Sequence, residues 1–514
     1  MPKEMSVQTQ RQRLRGKTGC LTCRSRRKKC DERTPVCERC ATSDRVCRWP
    51  VPEQMFDRRY ASHPKSRFNN SAESPSLSLQ SAHAAHRQLT VDLEVVISRH
   101  FIEKYYEYLL LPNCHPAFHD GWIKDIQELM VDDEGLRYAV LANAASHIHN
   151  VDTNPGMQSL ALKYYSKSIR GLSHALDQAN DPYLATCNGL LMSIILLYLH
   201  GCLGKGTYTD IPPHLQAAVR VLSLRFFDAS DNELQPFDLL AFESVLYQIF
   251  LTSTVHWSDP APLSDFDLHF WIQAETLLER KPMFSGSRSL NSPVLGVPIA
   301  LFRLVIQAKE AYQHPRQCDE ATLEQLRREV EAWEGVVLSN GRIDAPAENL
   351  PQNSQHIYYE GASYLYILII SLLLEQIDQS PWSPAHNQLP STVPRDTWQV
   401  RKALFILQQF ERDDGWTNCF IGNWPTYTLG FFCRDEEDIA IIRNEMKRRW
   451  DLTKFFQIAR FHEDLEKAWG QRSHCSNGTA VSIISDFSDS LSGCDSPSLW
   501  VEAACLAEGD GFVH

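Results

Sequence analysis

The sequence predicts a mainly α protein in four parts: a small cysteine-rich N-terminal module, a flexible linker, a large all-helical body and a disordered acidic tail. Three observations predict it. Six of the 15 cysteines fall between residues 20 and 47 of a 514-residue chain. From about residue 91 to 470, apolar residues recur at three- and four-residue spacing, while alternating strand patterns with turn dipeptides are absent. Beyond residue 472 the basic residues stop and acidic, serine and bulky apolar residues interleave. A chain this long exceeds one ordinary core, so several parts are expected.

Residues 1–17 are polar and basic and read as a disordered arm that can track a phosphate backbone. The module, residues 18–48, holds Cys20, Cys23, Cys30, Cys37, Cys40 and Cys47, a CxxC-x6-C unit that occurs twice. Two CxxC pairs at matched offsets are the ligand pattern of a closed structural zinc site. One tetrahedral zinc would leave two of six sulfurs over, whereas two zinc ions are satisfied if two sulfurs bridge. A disulfide framework belongs to small secreted domains, and no apolar signal segment precedes these residues. A mere metal store has no use for the charge between the ligands. Arg24, Arg26, Arg27, Lys28 and Lys29 fill five of the six positions between Cys23 and Cys30. A short helix starting near Cys23 would carry them on a support fixed by metal, suited to the major groove of DNA. A solvated face or a nuclear import signal is the plainer use of such a run, and import is expected as a second role, together with Arg11, Arg13, Arg15 and Lys17.

The six cysteine positions, the basic run and Pro35 in the loop before the fourth cysteine resemble the fungal binuclear zinc-cluster (Zn2Cys6) transcription factors. The resemblance implies that Cys20, Cys23, Cys30 and Cys37 hold one zinc, and Cys20, Cys37, Cys40 and Cys47 the other, with Cys20 and Cys37 bridging. It implies that Arg26 and Arg27 read a CGG-type triplet while Arg24, Lys28 and Lys29 hold phosphates. It makes Pro35 the family's loop proline, often cis, fixing the turn between the halves.

The linker, residues 49–90, contains four prolines and seven serines between residues 50 and 88 and shows no heptad pattern. Many members of the resembled family carry a dimerising coiled coil there. Its absence leaves two arrangements open, a monomer on one half-site and a homodimer built by the body.

Within the body, residues 91–470, helices are expected over Val91–Leu111, Leu136–Ile148, Met157–Leu176, Tyr183–Leu199 and Glu320–Val337, the last with Asp319 as N-cap. Ala362–Leu374 is apolar on all sides and reads as a buried helix, too short a run to span a bilayer, so no membrane is expected. Loops are marked at 154–156, 210–213, 258–262, 285–298, 341–351 and 379–394. Short stretches at Leu110–His119, His214–Leu222 and Trp424–Gly430 make this region similar to the fungal-specific transcription factor domain. That similarity implies a regulatory domain, a place for a small-molecule effector or a partner protein.

Charge divides along the same lines. Residues 1–67 carry 18 Lys/Arg against seven Asp/Glu, a net of +11, and the remainder carries 33 against 56, a net of −23. A basic arm on an acidic body confines attraction for DNA to one end. The tail, residues 471–514, has no Lys or Arg from 473 on, with six acidic residues and nine serines around Phe487, Leu499 and Trp500. This is the composition of a disordered activation segment that folds on a coactivator; an inert solubilising tail is the simpler use.

Other groupings are weaker. Cys114, His115 and His119 lie close in sequence, but Pro116 breaks their helical spacing, and a packed loop is expected rather than a metal site. Gly201–Thr207 lacks the first glycine and the Ser/Thr of a phosphate loop, and neither HExxH nor GxSxG occurs. The reading is therefore a nuclear regulator of RNA polymerase II genes, not an enzyme. It holds two Zn2+ ions, binds G/C-rich double-stranded DNA and controls a metabolic gene set, secondary metabolism being one setting. A repressor differs only in what the body and tail recruit. A scaffold or enzyme-derived body with a borrowed zinc module would show a pocket of convergent titratable groups.

Overall fold

The computed structural model describes most of residues 20–49 and of 92–476. The chain divides into two compact units, Met1–Ala82 and His83–His514. Among the described residues there are helices and turns and no strand. The expected arm and linker, Pro35, the loops at 258–262 and 341–351, and the tail beyond 476 lie outside the described residues.

The described residues of the first unit form two short helices, α1 (Leu21–Ser25) and α2 (Glu38–Ala41). Its core consists of Cys20, Cys23, Cys37 and Cys40, with Cys30, Cys47 and Trp49 packed around them. Among its described residues no apolar side chain larger than a cysteine is fully buried, so metal binding is what supplies the folding free energy that burial there cannot.

The second unit opens with α3 (92–100), which continues as a π turn over Phe101–Tyr105 and a 3-10 turn over Tyr106–Leu109. The expected regular helix over Val91–Leu111 is thus distorted. Widening the turn lets two successive tyrosines both point inward. Tyr105 Oη donates to Asn143 Oδ1 at 2.9 Å and Tyr106 Oη to the Phe118 carbonyl at 3.0 Å.

Next come α4 (Pro116–Asp132), α5 (Glu134–Asp152) and α6 (Pro155–Gln178). Asp133 caps α5 by accepting the Leu136 amide at 2.9 Å. α5 and α6 cross at a glycine pair: a Cβ on Gly171 would meet the Gly135 Cα at 3.2 Å. The single helix expected over Tyr183–Leu199 is two, α7 (Asp181–Thr186) and α8 (Asn188–Leu203), broken at Cys187. The break lets the backbone at Gly189 sit against the Asp133 carboxylate, where a Cβ would come within 2.5 Å. The prolines of the loop expected at 210–213 instead start α9 (Ile211–Phe226), since proline fits the first turn of a helix, where its missing N–H costs nothing.

After α10 (Pro236–Thr254) and α11 (Leu268–Glu279), the stretch 292–297 runs through the interior rather than over the surface. The buried Glu243 carboxylate holds it, accepting from Ser292 Oγ at 2.8 Å and from the amides of Val294 and Leu295 at 2.8 and 3.0 Å. α12 (Ile299–Gln313) and α13 (Glu320–Ser339) follow, the latter capped by Asp319, which accepts the Thr322 amide at 2.8 Å.

The central element is α14 (Gln355–Gln379), packed against α12, α13, α15 (Trp398–Gln409) and α17 (Asn423–Phe432). Its 20-residue stretch Tyr358–Ile377 is long and apolar enough to cross a membrane, further than the 13-residue run the sequence suggests, yet 78% of the apolar window is buried inside the protein. An all-round apolar helix is satisfied by neighbours on every side. α16 (Asp414–Asn418), α18 (Glu436–Thr453) and α19 (Phe456–Ser476) complete the body. Arg449 of α18 is fully buried and bonds Glu445 Oε1 at 2.9 Å, Asn423 Oδ1 at 2.7 Å and the Cys419 carbonyl at 3.1 Å.

Candidate nucleic-acid interface

Each half of the N-terminal module is built the same way. A cysteine stands just before a short helix, and a second cysteine three residues on returns to the same side of it. The turn after each helix repeats too: Lys28 N donates to the Cys23 carbonyl and Arg45 N to the Cys40 carbonyl, both at 3.0 Å and both five residues apart. The ends are tied together by Leu21 N to the Arg48 carbonyl at 2.6 Å. Thr22 reinforces the tie: its Oγ1 donates to the Val46 carbonyl at 2.8 Å and accepts the Arg48 amide at 3.3 Å. Ligand spacing alone does not reveal Thr22 as a clasp; a hydroxyl inside a CxxC unit is the only hint.

The sulfurs of Cys20, Cys23, Cys30 and Cys37 lie within 4.8 Å of one another, and so do those of Cys20, Cys37, Cys40 and Cys47. Cys20 and Cys37 belong to both groups. The Cys20–Cys37, Cys20–Cys40 and Cys23–Cys37 sulfur separations are 3.7, 3.8 and 3.6 Å. A zinc–sulfur bond of ~2.3 Å and tetrahedral angles place ligand sulfurs about 3.8 Å apart. The separations therefore fit the edges of metal tetrahedra, and all six cysteines are free of disulfides. Burial pushes the Cys20 thiol upward and the Cys40 thiol up to about 12, while the Cys37 amide, donating to Cys47 Sγ at 3.4 Å, draws that thiol down. Thiols that burial keeps protonated are what a divalent cation converts to thiolates, because its charge outweighs the desolvation cost.

The basic run lies differently from expectation. α1 starts at Leu21 and ends at Ser25, because the chain must turn after one and a half turns to bring Cys30 back to the sulfurs. Arg26, Lys28 and Lys29 therefore sit beyond the helix, all exposed. Arg26 Nη1 donates to Ser43 Oγ at 3.4 Å, which in turn donates to the Arg39 carbonyl at 2.6 Å, linking the two halves. Arg24 lies within α1, but its side chain, like all of Arg27, is outside the described residues. Arg45 and Arg48, outside the basic run between Cys23 and Cys30, are also exposed. Arg33 is occupied by Asp31 and Glu38 at 3.9 and 3.8 Å. The twofold backbone pattern is thus not matched in charge: the loop after Cys23 is basic, while its counterpart Ala41–Val46 holds one arginine and one aspartate.

In the second unit, Cys114, His115 and His119 form no metal cluster among the described residues. His115 caps α4, accepting the Ala117 amide at 3.1 Å, and its ring stacks on Phe284 at 3.7 Å. His147 is structural, bonding His100 and the Thr453 carbonyl, both at 2.9 Å.

Comparison with known proteins divides the chain in the same place. A family model described as the fungal Zn(2)-Cys(6) binuclear cluster domain matches residues 18–55, and one described as the fungal specific transcription factor domain matches residues 97–504. Such a cluster domain holds two zinc ions. The chain is 25% identical over 241 residues to the aspercryptin biosynthesis cluster-specific transcription regulator atnN of Emericella nidulans, covering 44% of this chain and 38% of that protein. It is 27% identical over 158 residues to the Zn(2)-C6 fungal-type transcription factor afumD of Aspergillus fumigatus, 30% of this chain and 39% of that one. It is 59% identical over 43 residues to the transcription activator AMTR1 of Alternaria alternata, 8% and 6% of the two chains. The matches thus span less than two-fifths of these relatives' lengths. No solved structure matches the chain.

Proposed function

Because the chain belongs to the fungal transcription factors that join a Zn(2)-Cys(6) cluster to a fungal-specific transcription factor domain, we propose that it is a sequence-specific regulator of a metabolic gene set, acting in the nucleus. The observation that carries the proposal is the pair of sulfur tetrads sharing Cys20 and Cys37, with Arg26, Lys28 and Lys29 exposed on the loop between the second and third cysteines. In this reading all six cysteines are zinc ligands. Six thiolates and two divalent ions leave the cluster about −2, and the neighbouring cations offset that charge and face DNA. Arg26 and Arg27 take guanine O6 and N7 of a CGG-like triplet, the commonest specific arginine contact, while Arg24, Lys28 and Lys29 hold phosphates.

The name of atnN ties that relative to a biosynthetic gene cluster and the name of AMTR1 to activation. Carried to this chain, they support a pathway-specific activator whose acidic tail recruits coactivators and whose helical body receives an effector. The deciding experiment is selection of binding sites from random duplex DNA with full-length zinc-loaded protein at stated salt. Enrichment of a single CGG-like triplet supports a monomer, and two triplets at fixed spacing support a homodimer formed by the body. No enrichment with zinc present refutes sequence-specific binding.

A further inference from the structure

Two adjoining cavities enter the helical body between α8, α10 and the start of α19. The inner one, about 60 Å³, is walled chiefly by leucine and aromatic side chains, including Tyr108, Tyr247 and Phe455. The outer one, about 350 Å³, opens beside Tyr208, His256 and Arg460. Cys202, Gln248, Leu251 and Gln457 line both, so these four side chains form the common wall. The outer volume lies in the range of small-molecule sites, about 300–1,000 Å³.

The walls carry polar groups with nothing to bond. Trp122, 5% exposed and facing the inner cavity, has an indole N–H with no acceptor among the described residues. Gln248, 4% exposed, accepts the Cys202 thiol on its amide oxygen at 2.9 Å, and its amide nitrogen donates to none of the described residues. Gln457, 9% exposed, makes no side-chain hydrogen bond among them. The indole N–H is a buried group without a partner and the two amides open onto the cavity space, so together these walls offer hydrogen-bonding groups to a ligand's oxygens.

Arg460 adds charge. Its guanidinium donates to the Cys202 carbonyl and to the Gly201 carbonyl at 3.5 Å, and lies 4.1 Å over the Tyr208 ring. None of the described carboxylates comes within 4 Å of it. The acids sharing its cavity are engaged elsewhere: Glu463 pairs with Lys467 at 2.7 Å, and Asp464 accepts Tyr427 Oη at 3.4 Å. The Cys202 thiol, pushed up to about 12 by burial, is a protonated donor rather than a nucleophile, so capture here is non-covalent.

We propose that these cavities bind a small aromatic carboxylic acid, its ring lodged against Leu251 and Gln248 and its carboxylate on Arg460. Binding requires only the folded body; its effect on transcription rests on the regulatory reading above. The test is calorimetric titration of full-length zinc-loaded protein with 2-naphthoate and its neutral isostere 2-naphthamide. The acid is expected to bind at least about tenfold more tightly. Arg460→Gln should remove that difference and Arg460→Lys should keep it. Leu251→Trp, which fills the common wall, should abolish binding of both, with zinc content and DNA binding unchanged. Equal affinity of acid and amide would overturn the Arg460 assignment. Failure of either probe to bind folded wild-type protein at millimolar concentration, or binding indifferent to Leu251→Trp, would overturn the site. Intact naphthoate binding in a preparation that selects no DNA sequence would leave the site standing and remove the DNA-binding reading instead.

Discussion

Cys20 Sγ and Cys37 Sγ stand 3.7 Å apart, and each belongs to both sulfur tetrads of the N-terminal module. If the two tetrads hold the two zinc ions as proposed, removing either sulfur opens both sites, whereas Cys47 belongs to one tetrad. Cys20→Ser and Cys37→Ser are expected to bring bound zinc close to none per chain, and Cys47→Ser to leave about one ion. Native mass spectrometry counts the ions directly. Equal losses from all three variants would refute the bridging assignment.

Arg26 and Lys29 are both exposed, yet they are assigned different work. Arg26→Ala should cost about 1–3 kcal/mol on the selected site and relax base choice, since a base-edge contact is lost. Lys29→Ala should weaken all sequences alike and lower the salt dependence of binding by about one ion. Binding isotherms on matched and mismatched duplexes at several salt concentrations separate the two. Identical behaviour of both variants would dissolve the division of roles.

Arg449, fully buried, is held by Glu445, Asn423 and the Cys419 carbonyl, and its guanidinium lies 5.0 Å from the Trp416 ring centre. Arg449→Met leaves those acceptors short of a donor and should destabilise the body by about 3–5 kcal/mol. Denaturant unfolding monitored by tryptophan fluorescence measures it. A shift below about 1 kcal/mol would mean that Arg448, also paired with Glu445, suffices alone.

Burial pushes His147 and His214 down to about 4 and His200 down to about 3. The folded body thus holds these rings neutral, while the unfolded chain takes up their protons below about pH 6.5. Their contribution is complete above that pH and is lost as pH falls toward 4, at about 1.4 kcal/mol per unit for each ring. Thermal melts of the full chain should fall across pH 6.5 to 4.5, and His200→Asn should flatten that decline. An unchanged slope in the variant would show that other groups govern it.

The cysteine spacing determined the module by itself. Its six cysteines lie within 28 residues, and metal coordination tolerates few arrangements of sulfur. Periodicity likewise determined most helices, because a 3.6-residue repeat is local, and it marked Ala362–Leu374 as interior. The tertiary structure alone decided the rest. The break at Cys187 follows from the approach of Gly189 to Asp133, and the widened turn at Phe101–Tyr105 from Asn143 and Phe118 accepting two neighbouring tyrosines. The interior path of residues 292–297 follows from Glu243. His147 and Thr453, 306 residues apart, meet at 2.9 Å, and the wall shared by Cys202, Gln248 and Gln457 is assembled over a similar span. Contacts of that range leave no periodic trace in the chain, since the energy that selects them arises only when distant helices pack and exclude water.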